Sequence, residues 1–220
     1  MSSKKSQERR ERLSKLNAAL KKLFPKATIA LNYSNPWELL VAVILSAQCT
    51  DKKVNEITEK LFKKYHTLDD YVCAKSSEFE RDIHSAGFFR AKTKNILAAA
   101  KMIRDEFDGE VPRTMSEILR VPGVARKTAN VVLGNVYGVV EGIAVDTHVL
   151  RFVHRFKLSD YKDPIHIERD LMELLPKKEW SHFTYRVIEY GRKIAPARKY
   201  DTINDPLVKI YPPAAKVFRV

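Results

Sequence analysis

The sequence predicts an all-α protein, and three observations support that fold class. Apolar residues recur at spacings of three and four along most of the chain, which is the period of one face of an α-helix. The 220 residues include only seven glycines, and neither Asn-Gly nor Gly-Gly, the pairs typical of β-hairpin turns, occurs. The one β-branched run that favours a strand, Asn130 to Val136, directly follows a turn and is long enough for a helix.

Each helix is predicted from its apolar stripe and from the residues that flank it. In the first, the buried face is expected to comprise Leu13, Leu16, Leu20 and Leu23, and Pro25 ends the helix. The predicted helices run from about Leu13 to Leu23, Trp37 to Leu45, Thr50 to Phe62, Ser76 to Ser85, Ala91 to Phe107, Thr114 to Leu119, Arg126 to Val136, Thr147 to Phe156, Ile165 to Leu174 and Ser181 to Ile194. The last segment, Tyr200 to Val220, contains three prolines and is expected to be ordered with little helix.

The charge of the chain indicates a polyanionic partner. Forty basic residues against 27 acidic ones give a formal net charge of +13, which attracts nucleic acid or an anionic membrane surface. The first 22 residues are mostly charged and do not resemble a signal peptide, and no run approaches the ~20 apolar residues of a membrane span. Cys49 and Cys73 cannot form a disulfide framework and suit a reducing compartment. We therefore expect a cytoplasmic protein that binds nucleic acid and no membrane.

A tight turn between two helices is the most informative local sequence. Pro122 and Gly123 separate a short helix from one that begins almost at once, and glycine allows torsions closed to other residues. Such a turn directs main-chain N–H groups and a positive helix end outward, where they bind a phosphate. An ordinary connection between helices is the alternative. Arg126 and Lys127, directly after the turn, favour phosphate binding.

Four segments together resemble a known family. Residues 121–132, VPGVARKTANVV, closely resemble the helix–hairpin–helix signature of endonuclease III DNA glycosylases, and 143–148 resemble the segment that holds that family's catalytic Asp. Residues 35–40 and 45–51 match its first core helix and the following loop, and the order is kept from about Leu20 to Lys199. The resemblance implies two helical lobes: a six-helix barrel with the helix–hairpin–helix over 28–140, and a second lobe from 1–27 and 141–220.

The resemblance implies a bifunctional enzyme of base-excision repair. It would remove oxidised pyrimidines from duplex DNA and cleave the abasic site by β-elimination, acting as a monomer on double-stranded DNA with damaged bases or abasic sites. Lys127 matches the lysine that forms the Schiff base. Since a lysine with the ordinary pKa of ~10.4 is almost always charged near neutral pH, such a site must supply a base or disfavour the cation. Asp146 would stabilise positive charge on the sugar and help to deprotonate the amine, although an N-cap role is the structural alternative.

The same resemblance implies the DNA contacts. The hairpin and the start of the helix after Asp146 are expected to touch the phosphodiester chain through Pro122, Gly123, Val124, Ala125, Arg126, Thr128 and Thr147. The target base must leave the duplex, so Gln48 would fill the space and Phe88 would wedge the opposite strand. A Phe88 packed beneath the Gly87 loop is equally compatible with the sequence. Ala125 stands where the family usually has a second glycine, which leaves the turn intact but puts in doubt how closely the backbone approaches phosphate.

A second departure concerns the cofactor. The family usually ends in four cysteines that bind a [4Fe–4S] cluster, but Ala195 occupies the first position and no cysteine follows it. The histidines show no ligand spacing. We therefore expect neither an iron–sulfur cluster nor another metal. We expect instead that the C-terminal segment packs on the helical lobe through Ile203, Leu207, Val208, Ile210, Tyr211, Val217 and Phe218.

Two other functions remain open from the sequence. A non-catalytic helix–hairpin–helix protein would bind DNA with the same turn, although binding alone requires neither Lys127 nor Asp146. A glycosylase for mismatched thymine or uracil is the alternative within the enzyme class, although such relatives often replace the lysine. An adenine-removing enzyme is a weaker alternative because Ala42 and Val43 stand where those relatives place a Glu.

Overall fold

The computed structural model describes residues 3–197 and 201–216, and over these ranges the chain is helical with no strand. The Cα positions divide it into two compact units. Unit 1 comprises Met1–Ile29 with Gly142–Val220, and unit 2 comprises Ala30–Glu141. No helix in the described ranges is both long and apolar enough to cross a membrane.

Unit 2 contains seven α-helices within the described part of the chain. They are α2 (Pro36–Ser46), α3 (Asp51–Lys64), α4 (Leu68–Val72), α5 (Ser76–Asp82), α6 (Phe89–Glu106), α7 (Met115–Ile118) and α8 (Arg126–Val132). A 3₁₀ turn at His84–Ala86 precedes α6, and a π-helical turn at Leu133–Tyr137 continues α8. The β-branched run after the hairpin is therefore helical, as predicted.

The core of unit 2 is built on α2, which buries seven consecutive residues from Leu39 to Leu45. The helices α3, α6 and α8 all pack against α2, so the apolar run is covered on every side. Beside this core, the rings of Trp37, Tyr65, Tyr71 and Phe79 form an aromatic cluster with centroid separations of 5.1 to 5.8 Å. Burial of these rings stabilises the position of the short helices α4 and α5.

The sequence analysis missed the helix α4. It is five residues long and begins in a capping box, in which Thr67 Oγ1 accepts a hydrogen bond from the Asp70 amide and Asp70 accepts one from the Thr67 amide. Tyr71 is buried in the aromatic cluster. One buried residue in five is too short a stripe to show helical period, so tertiary packing and the capping box determine this helix.

Unit 1 contains the remaining described α-helices, which are α1 (Ser3–Leu23), α9 (Thr147–Arg155), α10 (Pro164–Leu174) and α11 (Trp180–Lys193), and two 3₁₀ turns at Lys177–Glu179 and Pro212–Lys216. Leu13, Leu16 and Leu20 are fully buried, as their spacing predicts. The prediction that Leu23 belongs to the same face is wrong, because its side chain is 38% exposed. Leu23 is the last residue of α1, where the chain turns toward Pro25 and the core no longer covers it.

The C-terminal segment packs on unit 1 over residues 201–216. Leu207 and Ala214 are fully buried in the core of this unit, and Val208, Ile210 and Tyr211 pack against it. The Arg12 guanidinium lies 4.0 Å from the centre of the Tyr211 ring. The prediction fails for Ile203, which is 84% exposed. Val217 and Phe218 lie outside the described residues.

Candidate nucleic-acid interface and catalytic residues

The hairpin between α7 and α8 is a tight turn that requires glycine at position 123. The Val121 amide donates to the Ile118 carbonyl over 3.2 Å, and the Val124 amide donates to the Val121 carbonyl over 3.1 Å. Gly123 has a φ of +82°, and a Cβ built there would lie 2.9 Å from the Cβ of Asn95 on α6. Both the torsion and the close approach to α6 exclude a side chain.

The helix after the hairpin begins without a side-chain cap. Ala125 is the N-cap residue, with extended torsions of φ −98° and ψ 171°. An alanine adopts these torsions without strain, so its substitution for the family's second glycine does not disturb the turn. Amides in the first turn of a helix have no intrahelical acceptor. They are therefore oriented to receive an external anion, with the positive end of the helix behind them.

Lys127 occupies the first turn of α8 and its side chain is exposed. Its neighbours Arg126 and Thr128 are half-buried, and Ala129 is the first fully buried residue of the helix. The hairpin therefore directs one amine into solvent within a turn of the expected phosphate site. That arrangement suits a nucleophile that must reach a sugar beside a bound phosphate.

Two further loops of unit 2 present the residues predicted to enter DNA. Gln48, in the turn after α2, and Phe88, before α6, are exposed and have left-handed φ values of +52° and +48°. Phe88 follows Gly87, whose φ is also positive, and 67% of its surface is accessible. The alternative in which Phe88 packs beneath the glycine loop is therefore wrong. Non-glycine residues rarely adopt this conformation, and it concentrates at functional loops.

Asp146 and Thr147 lie in unit 1, at the start of α9. Asp146 is the half-buried N-cap residue, and its Oδ1 accepts a hydrogen bond of 2.8 Å from the Val149 amide. The preceding segment is buried and is fixed by the Thr184 hydroxyl, which donates to the Ala144 carbonyl over 2.9 Å. Thr147 is exposed. The capping role considered for Asp146 is thus present, and it orients the carboxylate.

The sequence analysis missed Lys92, which is only 4% exposed although it is a lysine in an amphipathic helix. Its Nζ donates to the Leu45 carbonyl over 2.8 Å and to the Ala86 carbonyl over 2.7 Å. The only signal in the sequence is its place one helical turn after Phe88. A lysine at that place is normally read as solvated, so only the tertiary structure reveals its burial.

The residues present do not fit an iron–sulfur cluster. Four thiolates hold such a cluster, whereas the chain has only Cys49 and Cys73, both of which lie in unit 2. Ala195, at the expected first ligand position, is buried, and its amide donates to the Tyr190 carbonyl over 2.9 Å. Across residues 3–197 and 201–216, no three His, Cys, Asp or Glu side chains are grouped so that they could hold a metal ion.

Comparison with known proteins places the chain in a family. Residues 41–177 match the profile of the HhH-GPD superfamily base excision DNA repair proteins. Endonuclease III of Synechocystis sp. is 49% identical over 196 residues, covering 89% of this chain and 90% of that protein. The structure of a non-covalent endonuclease III–DNA complex superposes with a TM-score of 0.90 at 41% identity, over 94% of this chain and 97% of that one.

A trapped endonuclease III–DNA covalent intermediate also matches, with a TM-score of 0.90 and 41% identity over 96% of this chain and 99% of the other. The fold and the hairpin thus define the class, which is the helix–hairpin–helix base-excision repair proteins. Within that class the chain belongs to the endonuclease III family. The resemblance noted in the four sequence segments is confirmed.

Proposed function

We propose that this protein is a DNA glycosylase and abasic-site lyase whose nucleophile is the amine of Lys127. The observation that carries the proposal is the placement of Lys127: exposed, in the first turn of α8, immediately after the Gly123 hairpin. A phosphate bound at the hairpin would hold the adjacent sugar beside this amine. Membership of the endonuclease III family supports the assignment, since one relative has been trapped as a covalent DNA intermediate.

The proposed reaction proceeds through one covalent enzyme–DNA bond. The neutral Lys127 amine attacks C1′ of the nucleotide, and the C1′–N bond breaks so that the base leaves with a proton. The sugar ring opens to give a Schiff base, in which a C=N bond joins C1′ to the lysine nitrogen. Loss of the proton at C2′ then expels the 3′-phosphate by β-elimination. Water finally hydrolyses the imine and restores the amine.

Asp146 is the group we propose to assist these steps. The hydrogen bond from the Val149 amide holds one carboxylate oxygen at the start of α9. An ionised carboxylate held in this way stabilises the positive charge that develops on the sugar as the base leaves. The same carboxylate is also a base that can accept a proton during the reaction. Capping and catalysis therefore use the same oriented side chain.

The two exposed loops that carry Gln48 and Phe88 suit the extrusion of the target nucleotide. A base within a duplex is inaccessible to a nucleophile and must be flipped out, at a cost in stacking and pairing. Phe88 offers an apolar ring to wedge between bases, and Gln48 offers an amide that hydrogen-bonds to the base left without a partner. The basic charge of +13 supplies the non-specific attraction to the phosphate chain.

We further propose oxidised pyrimidines as the substrates, on the resemblance to the family, and a cytoplasmic monomer that works without an iron–sulfur cluster. The cysteine content of the chain supports the last point. Purified protein is then expected to be colourless, and iron assays are expected to give less than stoichiometric metal. A panel of single-lesion duplexes, with oxidised pyrimidines beside thymine and uracil mispairs, tests the substrate class.

Borohydride trapping tests the central proposal. The protein is incubated with a duplex that carries one abasic site, and borohydride reduces any Schiff base to a stable adduct. Wild type and the exposed-lysine control Lys101→Ala are expected to give the adduct, and Lys127→Ala none. Tight duplex binding by wild type without an adduct would instead identify a non-catalytic binder. An adduct that persists in Lys127→Ala would assign the nucleophile to another amine.

A further inference from the structure

A buried ammonium group lies behind the two loops that carry Gln48 and Phe88. Lys92 belongs to α6 and points into unit 2, where its Nζ donates to two main-chain carbonyls 2.7 and 2.8 Å away. Burying a lysine is costly unless its charge is well hydrogen-bonded. Two short hydrogen bonds to main-chain carbonyl oxygens indicate that this ammonium group holds the backbone in place.

The two carbonyls belong to the segments that end in the candidate DNA-entering residues. Leu45 lies in the last turn of α2, three residues before Gln48. Ala86 ends the 3₁₀ turn, two residues before Phe88. One ammonium group therefore bridges the bases of both loops, which are otherwise separated by forty residues of chain. A shift in either loop would lengthen a charge-assisted hydrogen bond.

Both loops also contain a residue with strained backbone torsions, and surrounding contacts must hold such torsions in place. Gln48 and Phe88 have φ values of +52° and +48°, a conformation that is disfavoured for a residue with a side chain. Burial lowers the pKa of Lys92, and the nearby Cys49 opposes this shift. The surroundings thus disfavour the charged amine, and the two carbonyl bonds offset that effect.

The helix α6 extends the same support to the hairpin. Lys92 and Asn95 are three residues apart in α6 and so share one face of that helix. The side chain of Asn95 lies against Gly123, close enough to exclude a Cβ there. The face of α6 that carries Lys92 therefore contacts the base of the Gln48 loop through Lys92 and the hairpin turn through Asn95. One helix face supports all three loops expected to touch DNA.

We infer that Lys92 is a positioning residue that fixes the Gln48 and Phe88 loops relative to each other, so that both side chains enter a duplex together. The inference rests on the proposed function of these loops. The inference predicts that substitution of Lys92 slows the reaction on double-stranded substrate only. A single strand with an abasic site has no stack to open and no orphaned partner base, so its reaction at Lys127 does not depend on the two loops.

The test compares one abasic site in a duplex with the same site in a single-stranded oligonucleotide. The rate of borohydride-trapped adduct is measured for wild type, Lys92→Met, Lys92→Arg and the exposed control Lys101→Met on the same helix. We expect Lys92→Met to slow the duplex reaction by at least 30-fold and the single-strand reaction by less than twofold. Lys92→Arg, which keeps a buried donor, should recover part of the duplex rate, and Lys101→Met should match wild type.

A second readout follows the insertion itself. With 2-aminopurine placed opposite the abasic site, wild type is expected to change the fluorescence on binding as Gln48 and Phe88 enter. Lys92→Met should bind with little of that change. Thermal unfolding shows whether each variant folds. If Lys92→Met does not fold, Lys92→Gln replaces it, since its amide can still donate to one carbonyl. The same ratio of duplex to single-strand rates is expected for Lys92→Gln.

The outcomes separate the two proposals. An unchanged ratio of duplex to single-strand rate in the Lys92 variants, whether both rates fall together or neither falls, overturns the positioning role while the lyase proposal stands. No adduct from wild type on either substrate overturns the lyase proposal itself. A lost fluorescence change with a normal duplex rate also overturns the inference, because insertion would then not limit the reaction.

Discussion

The exposed loops of unit 2 and the C-terminal segment of unit 1 illustrate two different uses of the chain. In the loops, Gln48, Phe88 and Gly123 all have positive φ and are exposed to solvent. In the C-terminal segment, Leu207 is fully buried, and the buried carboxylate of Asp205 accepts a hydrogen bond from the Tyr190 hydroxyl. The loops keep strained groups available for a ligand, whereas the segment satisfies its groups internally.

This difference between the loops and the C-terminal segment predicts where substitutions should affect stability and where they should affect activity. Groups that are buried and paired contribute to the folded state, so their loss lowers the free energy of unfolding. Strained exposed residues contribute little to that free energy or oppose it. If the loops bind DNA as proposed, their substitution should affect activity more than stability. Each of the following predictions tests one side of this contrast, from the largest expected effect on stability to the smallest.

Leu207→Ala tests the C-terminal segment. The side chain is fully buried in the core of unit 1, so the substitution should cost about 2–5 kcal/mol of unfolding free energy and lower Tm by on the order of 10 °C. Ile203→Ala is the matched control, because Ile203 is 84% exposed and its loss should leave Tm unchanged. Equal Tm values for the two variants would show that the segment does not stabilise this unit.

Gly123→Ala tests the strained side of the contrast at the hairpin. The φ of +82° and the approach of Asn95 both oppose a methyl group, so we expect a loss of about 2 kcal/mol in stability. Binding to an abasic-site duplex, measured by anisotropy, should weaken about tenfold because the turn must rearrange. Gly134→Ala is the control: a Cβ there meets nothing within 4 Å, and neither value should fall.

Glu179 provides a pH-dependent test in unit 1. Burial raises the pKa of its carboxyl group, but hydrogen bonds from Lys21, Arg186 and Asn17 outweigh it and lower the pKa from 4.5 to about 2. The carboxylate therefore contributes stability above pH 4.5 that is lost as pH falls through 2. We expect the variant Glu179→Gln to lose about 1–2 kcal/mol at pH 7. Its unfolding free energy should also change less than that of wild type between pH 4.5 and 2.

Asp146 allows stability and activity to be tested at one residue, because it is a candidate catalytic group that also caps a helix. Asp146→Ala removes the N-cap bond to Val149 and should cost about 1 kcal/mol. Asp146→Asn keeps an acceptor for that bond, so its Tm should match wild type, while the rate of base removal should fall about 100-fold. A rate for Asp146→Asn equal to that of wild type would leave Asp146 with the capping role alone.

The sequence predicted the helical class and most helices because burial repeats every three or four residues in them. It could not predict α4, where a single buried residue, Tyr71, gives no period. It also assigned Leu23 and Ile203 to buried faces although both are exposed. Periodicity identifies the face of an element but not how far the neighbouring element extends along it.

The residues of the candidate site also fall into two groups, those recognisable from the sequence and those that were not. The hairpin, Lys127 and Asp146 were recognisable because helix-capping and turn chemistry are local, and because four spaced segments resemble one family. The burial of Lys92 was not, since its local pattern is that of an ordinary amphipathic helix, and the sequence left open whether Phe88, in the loop before that helix, is exposed or packed. Only the packing of α6 against the end of α2 decides which of these two side chains reaches solvent.

By itself, the sequence determined most of the helical elements, the glycine turn, the position of the candidate nucleophile Lys127 and the shortage of thiolates for a cluster. These are properties of single residues and of spacings within one element. The tertiary structure decided that Lys92 bridges the Gln48 and Phe88 loops, and that Leu207 and Ala214 are buried while Ile203 is not. Such outcomes depend on which distant segments meet, because burial and hydrogen bonding of a side chain are set by its neighbours in space.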